Sequence, residues 1–188
     1  MEAFLISTGI VALAEMGDKT QLLALVLAAR FRRPWPIVWG ILVATLLNHA
    51  IAGAAGAWIM AAAGPNVMRW VLGVSFIAMA LWMLIPDKLD DENALPKRQM
   101  GVFLVTVWAF FLAEMGDKTQ IATVALGAQY DLLIAVVLGT TFGMMLANAP
   151  VVFFGDAITR KVPIALVHRV AAGIFAVLGV LALLGVGS

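Results

Sequence analysis

The sequence predicts an all-α membrane protein with six transmembrane helices, arranged as two inverted repeats of three helices. Three observations lead to this prediction: an apolar composition, six long apolar stretches and an internal repeat. The chain of 188 residues is 63% apolar and only 12% charged, whereas soluble proteins average about 45–50% and about 25%. Its mean hydropathy is +1.03, so we expect lipid to cover much of its surface.

The rest of the composition excludes several classes of protein. A net charge of only +1 offers no basic field for nucleic acid. The absence of cysteine excludes disulfides, thiolate metal sites and cysteine catalysis. The histidines, His49 and His168, are too few for a histidine-built metal cluster. Taken with the apolar composition, these facts exclude a water-soluble enzyme.

Six stretches are long and apolar enough to form spans, each of which needs about 20 residues. They cover roughly residues 3–29, 37–62, 67–85, 101–126, 132–154 and 163–186. The first is not expected to be a cleaved signal peptide, because its amino end lacks positive charge and Glu15 interrupts it. Helices satisfy every backbone group in lipid, so each stretch is predicted to be a helix.

The basic residues predict the orientation of these spans. Most of them follow the first, third and fifth spans, as Arg30, Arg32 and Arg33, then Lys88, Lys97 and Arg98, then Arg160 and Lys161, while Arg69 alone falls near the other side and Arg169 lies just inside the sixth span. Because cytoplasmic loops carry an excess of Lys and Arg, these three loops are predicted to be cytoplasmic. Both termini are then predicted to lie outside.

An internal repeat divides the chain. The nine residues Leu13–Gln21 recur without change as Leu112–Gln120, at an offset of 99. This repeat predicts a first unit at 1–86, a charged cytoplasmic loop at 87–99 and a second unit at 100–188. Three spans per unit mean that the second unit enters the membrane from the opposite face, which is an architecture of many secondary transporters.

The repeated segment places charges deep within apolar spans. Each charge at a helix centre costs about 2.5–3.5 kcal/mol on insertion scales, so six represent roughly 15–20 kcal/mol before pairing. Such residues usually have a function. The six are Glu15, Asp18, Lys19, Glu114, Asp117 and Lys118.

In a straight helix most of the polar residues of one motif would lie on one face. At about 100° per residue, Glu15, Asp18, Lys19 and Gln21 fall within an arc of about 160°. Thr20 and its repeat mate Thr119 point away from that arc, whereas Ser7 and Thr106 share it. We expect the two faces to meet. The predicted metal ligands are Glu15, Asp18, Gln21, Glu114, Asp117 and Gln120, and the predicted supporting residues are Lys19, Lys118, Thr20, Thr119, Asn48, Asn148, Ser7 and Thr106.

This set of carboxylates, amides and hydroxyls suits a hard divalent cation such as Ca²⁺, Mn²⁺ or Mg²⁺. Two facing motifs sum to a charge of −2, which one divalent cation or two protons would neutralise. Burial disfavours the ionised form of these carboxylates, whereas the neighbouring lysines favour it. Protons and metal are therefore expected to compete for the site, as antiport requires. No resident cofactor is expected.

Several residues have two interpretations. Gly17 and Gly116 indicate a local break or a close approach of the two motif helices, or else an ordinary small-residue contact. Lys19 and Lys118 could occupy the site when the ion leaves, tether a neighbouring Asp, or pair with Glu15 and Glu114 four residues before them. The helix 2 residues Asn48 and His49 have a counterpart in Asn148. The asparagines complete the coordination or bond neighbouring helices, and His49 is expected to be hydrogen-bonded rather than a ligand.

At this motif the sequence resembles the Gdt-type cation/proton exchangers, which carry two E-x-G-D-[KR]-[TS] signatures. Both signatures are intact, at Glu15–Thr20 and Glu114–Thr119, and the resemblance extends over essentially the whole chain. It implies exchange of Mn²⁺ or Ca²⁺ for protons, with the acids of the signatures as ligands. The chain lacks the leader and long central loop of organellar members. We therefore expect a bacterial exporter in the inner membrane.

Two other functions are retained as alternatives. One is export of another cationic solute, such as a basic amino acid, on a related duplicated fold. The other is an intramembrane aspartyl protease with Asp18 and Asp117 as its dyad. The sequence does not rank Mn²⁺ against Ca²⁺, because both ions accept the same oxygen ligands, and it leaves a homo-oligomer open.

Overall fold

The computed structural model of the protein describes residues 1–84, 101–155 and 164–185. Within these ranges every regular element is a helix, in the order α1 (Glu2–Glu15), α2 (Lys19–Phe31), α3 (Pro34–Trp82), α4 (Val102–Glu114), α5 (Lys118–Gln129), α6 (Leu133–Phe154) and α7 (Ile164–Leu183). The all-α prediction is confirmed for this part of the chain. The predicted loop at 87–99, which holds Lys88, Lys97 and Arg98, and the basic pair Arg160 and Lys161 lie outside the described residues.

Two of the predicted spans are broken at the repeated motif. The span predicted over 3–29 is divided between α1 and α2, and the span predicted over 101–126 is divided between α4 and α5. At each break a methionine has extended backbone (Met16 and Met115), and the next residue has positive φ, 82° at Gly17 and 75° at Gly116. Only glycine adopts such angles without steric cost. Of the interpretations left open for Gly17 and Gly116, the structure shows a local break at glycine, so the straight helix assumed for the polar face does not apply.

The breaks leave the half-helices short. α1, α2, α4 and α5 contain 14, 13, 13 and 12 residues, against the about 20 that a single span needs. In the described part of the chain, two helices are long and apolar enough to cross a membrane alone, Pro34–Gly64 and Leu133–Phe154. Pro34–Gly64 is the first arm of α3, which bends at Gly64 (φ 74°) before the second arm, Asn66–Trp82.

Helix α6 lies alongside α1 and α2. Near its start, a Cβ on Gly139 would lie 2.5 Å from the carbonyl oxygen of Phe4, so only glycine fits this contact. Further along, Asn148 donates a hydrogen bond to Glu15. The residue numbers rise together along both segments, so α6 runs in the same direction as the broken helix of the first half.

The first arm of α3 has the same relation to α4 and α5. A Cβ on Gly40 would lie 3.0 Å from the carbonyl oxygen of Phe103, and Gly56 packs directly on the carbonyl of Val124. This arm therefore runs in the same direction as the broken helix of the second half. Each broken helix thus packs against the long helix of the other half.

The outer surface of the protein is more apolar than that of a soluble protein. Trp35, Trp58 and Trp70 are 63%, 72% and 57% exposed, and many leucines and phenylalanines share their outer surface. Most polar side chains of the motifs, with Asn48 and Asn148, are buried inside, while Lys19, Gln21 and Gln120 are partly exposed. Polar residues within membrane-spanning segments face the interior of the helix bundle, so this pattern suits a protein surrounded by lipid.

Candidate metal-binding site

Each motif break is held in place by its own glutamine. Gln21 Oε1 accepts a hydrogen bond from the backbone N–H of Gly17 at 2.8 Å, and Gln120 Oε1 accepts one from Gly116 at 2.7 Å. The glutamines therefore satisfy backbone groups that leave the helical pattern. The sequence predicted both as metal ligands, and in the structure their carbonyl oxygens are engaged with the backbone.

The threonines of the motifs point toward the glutamates. Thr20 Oγ1 donates to Glu15 Oε2 at 2.5 Å, and Thr119 Oγ1 donates to Glu114 Oε2 at 2.8 Å. The prediction that these threonines point away from the site is wrong. It assumed a straight helix, whereas the break reorients α2 and α5 relative to the helix that precedes each.

Two ion pairs connect the halves crosswise. Lys19 Nζ lies 3.0 Å from Asp117 Oδ1. Lys118 Nζ lies 2.7 Å from Asp18 Oδ1. Each lysine thus tethers the aspartate of the opposite motif, and the pairing of Lys19 with Glu15 that helical spacing allowed is not formed. The Lys118–Asp18 pair is fully buried, while the side chain of Lys19 is 29% exposed.

Three carboxylates from the two halves converge. Ligand atoms of Glu15, Glu114 and Asp117 all lie within 4.8 Å of one another, and the three side chains are buried. The Oε1 atoms of both glutamates have no hydrogen-bond partner among the described residues. Carboxylate oxygens in this arrangement are the ligands that hard divalent cations prefer. The fourth predicted acid, Asp18, is also buried but belongs to the ion pair with Lys118 and not to this group.

The ion pairs determine where the negative charge of the site remains. Lys118 offsets Asp18 and Lys19 offsets Asp117. Glu15 and Glu114, one from each half, are the two carboxyl groups that no lysine pairs with, so they carry the uncompensated charge when they are ionised. A site of two uncompensated carboxylates suits one divalent cation.

The asparagines border this group through different contacts. Asn148 Nδ2 donates to Glu15 Oε2 at 3.4 Å. Asn48 Oδ1 accepts a bond from Gln120 Nε2 at 2.6 Å. Asn148 therefore touches an acid of the site, whereas Asn48 supports the glutamine that holds the second break.

Ser7 and Thr106 lie about two turns away from the acids. They contact the glycines where the halves cross: a Cβ on Gly139 would lie 3.0 Å from Ser7 Cβ, and one on Gly40 would lie 2.6 Å from Thr106 Cβ. Thr106 Oγ1 donates to its own helix, at the carbonyl of Val102. The structure places these two residues at the helix crossings and not among the acids.

Comparison with known proteins assigns the chain to a family. Residues 3–91 and 102–187 match the family described as "Divalent cation/proton antiporter GDT1". The chain belongs to this family. Its members are transporters of divalent cations, so the chain is an integral membrane protein, and the protease alternative is excluded.

Individual relatives agree with this assignment. A Vibrio cholerae protein named "Putative manganese exporter" is 53% identical over 176 residues, which cover 93% of this chain and 87% of the relative. A GDT1-like protein of Synechocystis is 24% identical, over 86% of this chain and 88% of the relative. "GDT1-like protein 5" of Arabidopsis thaliana is 25% identical, over 98% and 96%. No solved structure matches the chain.

Proposed function

We propose that this protein exchanges a divalent cation for protons and exports the metal from the cytoplasm, with Mn²⁺ as the main substrate and Ca²⁺ as the other candidate. The observation that carries this proposal is the convergence of Glu15, Glu114 and Asp117 within 4.8 Å in the interior of the protein. The family supplies the class of transported ion. The name of the Vibrio cholerae relative favours manganese.

Charge repulsion provides the coupling between metal and protons. Two ionised carboxylates whose oxygens lie within 4.8 Å of each other repel by at least about 3–4 kcal/mol at an effective dielectric constant of 20. One divalent cation removes this repulsion by binding between Glu15 and Glu114, and two protons remove it by neutralising them. Exchange of one metal ion for two protons leaves the net charge of the site unchanged. Proton and metal then exclude each other from the same oxygens.

The ion pairs keep the site assembled while its contents change. Each pair joins a half-helix of one motif to the aspartate of the other. The glutamates are thereby held opposite each other whether they bind metal or protons. Thr20 and Thr119 orient the carboxylates by bonding to one oxygen of each, which leaves the other oxygen for the ion.

The proposed topology is six spans in two inverted halves, at 1–86 and 100–188, joined by a cytoplasmic loop. Two observations support it. The first arm of α3 runs parallel to α4 and α5, and α6 runs parallel to α1 and α2. Only Arg32 and Arg33 separate α2 from α3, so two successive spans joined by this short link cross the membrane in opposite directions, and the first and fourth spans then do so as well. The distribution of the basic residues along the sequence favours a topology with both termini outside a bacterial inner membrane.

Transport in proteoliposomes tests this function. Purified protein is reconstituted, a pH step is applied, and uptake of Mn²⁺ and of Ca²⁺ is followed separately. We expect uptake that increases with the proton gradient and stops when an ionophore collapses it. Metal flux that ignores the pH step would exclude proton coupling, and the absence of divalent-cation flux would refute the proposal.

Neutral variants connect this flux to the site. Glu15→Gln, Glu114→Gln and Asp117→Asn should each abolish transport without changing membrane insertion. Asp131→Asn is the matched control, because Asp131 is exposed in the turn before α6 and loses the same charge. Near-normal flux in any two of the three site variants would contradict a site shared between the halves.

A further inference from the structure

The contacts between the halves define which residues are repeat mates. Gln21 Nε2 donates to the carbonyl of Ala147, and Gln120 Nε2 donates to the side chain of Asn48. Ala147 and Asn48 are separated by 99 residues, the same offset as the two glutamines. The two motifs are therefore bordered in the same register by α6 and by α3.

This register pairs Asn148 with His49 and not with Asn48. Asn148 lies beside the glutamate of the first motif, where its Nδ2 donates to Glu15. His49 precedes Asn148 by the same 99 residues that separate Glu15 from Glu114, so the repeat predicts a corresponding position for it in the second half. The residue before His49 contacts the second half directly, because the side chain of Asn48 bonds both Gln120 and the carbonyl of Phe111.

His49 is not a histidine satisfied by the protein core. Its side chain is fully buried, and neither ring nitrogen has a hydrogen-bond partner among the described residues. Most buried polar side-chain atoms in proteins do have a partner, so the ring is expected to have a ligand. The sequence interpretation of His49 as hydrogen-bonded is not supported by the contacts of the described residues.

We propose that His49 supplies a nitrogen ligand to the transported cation and makes the site select Mn²⁺ over Ca²⁺. This inference rests on the proposed function. Imidazole nitrogen binds transition metals, whereas Ca²⁺ takes oxygen ligands. The imidazole is not one of the three groups that already converge within 4.8 Å, so it completes the ligand set by rotating toward Glu114 when the metal binds. The two halves then differ by one ligand, His49 in one and Asn148 in the other.

Pulsed electron paramagnetic resonance tests the ligand directly. MnCl₂ is added to the purified full-length protein, and electron spin echo envelope modulation reports imidazole nitrogen bound to the Mn²⁺ ion. We expect the nitrogen modulation in the unmodified protein and in His168→Asn, which removes the only other histidine. We expect its loss in His49→Asn. Modulation that persists in His49→Asn, or that is missing from the unmodified protein with Mn²⁺ bound, would overturn the proposal.

Competition between metals tests selectivity. The ratio of Mn²⁺ to Ca²⁺ uptake should fall about tenfold or more in His49→Asn, as expected for removal of one group from a metal site. Asn148→His adds an imidazole at the mate position, and its Mn²⁺ to Ca²⁺ ratio should not fall; this variant also serves if His49→Asn fails to fold. An unchanged ratio in folded His49→Asn, or a reduced ratio in Asn148→His, would refute the role of His49. Neither result would affect divalent-cation transport by the unmodified protein, which tests the proposed function separately.

Discussion

Replacement of Lys118 by methionine should destabilise the protein strongly. In the unmodified chain Lys118 and Asp18 form an ion pair at 2.7 Å, with side-chain exposures of 1% and 0%. The substitution keeps the apolar stem of the side chain and removes its charge, which deprives the buried Asp18 of this ion pair. Breaking a buried pair in this way costs about 3–5 kcal/mol.

The size of the effect can be checked by thermal unfolding. For a chain of this length each kcal/mol lowers the Tm by about 2–4 °C, so the Tm of Lys118→Met should fall by roughly 6–20 °C. The fluorescence of the six tryptophans reports unfolding in detergent. Lys19→Met is the comparison variant, and its Tm should fall less, because the side chain of Lys19 is 29% exposed and water reaches its pair.

The double variant separates lost charge compensation from lost packing. Asp18→Asn in the Lys118→Met background removes the uncompensated charge, so most of the lost stability should return. The reasoning would be refuted if the double variant unfolded at the same temperature as Lys118→Met. It would also be refuted if Lys118→Met cost less than about 1 kcal/mol, the value typical of an exposed pair.

Three further predictions concern hydroxyl and glycine positions. Thr119→Val removes the hydroxyl that orients Glu114. In a calorimetric titration it should bind Mn²⁺ about tenfold or more weakly, since hydrogen bonds to charged groups contribute about 1.5–3 kcal/mol. Thr119→Ser keeps the hydroxyl and should bind Mn²⁺ normally. Gly116→Ala and Gly64→Ala should lower the Tm by similar amounts, because both glycines have positive φ (75° and 74°) and open space for a Cβ. Only Gly116→Ala should also lose transport. Equal transport in both variants would show that the helix break at Gly116 is not needed. Gly56→Ala should destabilise the packing of α3 on α5, since its Cβ would overlap the Val124 carbonyl, whereas Gly173→Ala meets open space and should keep its Tm.

The sequence was sufficient for the helical class and the motif, and three of its four predicted acids, Glu15, Glu114 and Asp117, converge in the structure. The motif was visible because an unchanged nine-residue repeat with several charges is rare in an apolar chain. The directions of its side chains were not, because a helical wheel assumes a straight helix. The break at Gly17 invalidated that assumption and brought Thr20 to Glu15.

Which cations and acids pair was also outside the reach of the sequence. Helical spacing offers Lys19 a partner at Glu15 in its own motif, and nothing local indicates a partner in the other half. The pairs Lys19–Asp117 and Lys118–Asp18 join residues of different halves, so they depend on how the halves pack. The same packing shows that His49, and not Asn48, is the repeat mate of Asn148.

The sequence by itself determined that a chain so apolar carries two identical charged segments, and that glycine follows the methionine in each. Those facts are local, because the cost of a buried charge and the backbone freedom of glycine depend on the residue and its immediate neighbours. Only the tertiary structure decided that each lysine pairs with the opposite aspartate and that the two glutamates keep the remaining charge. Electrostatic pairing depends on distance in space, and that distance is set by the glycine contacts through which the halves pack.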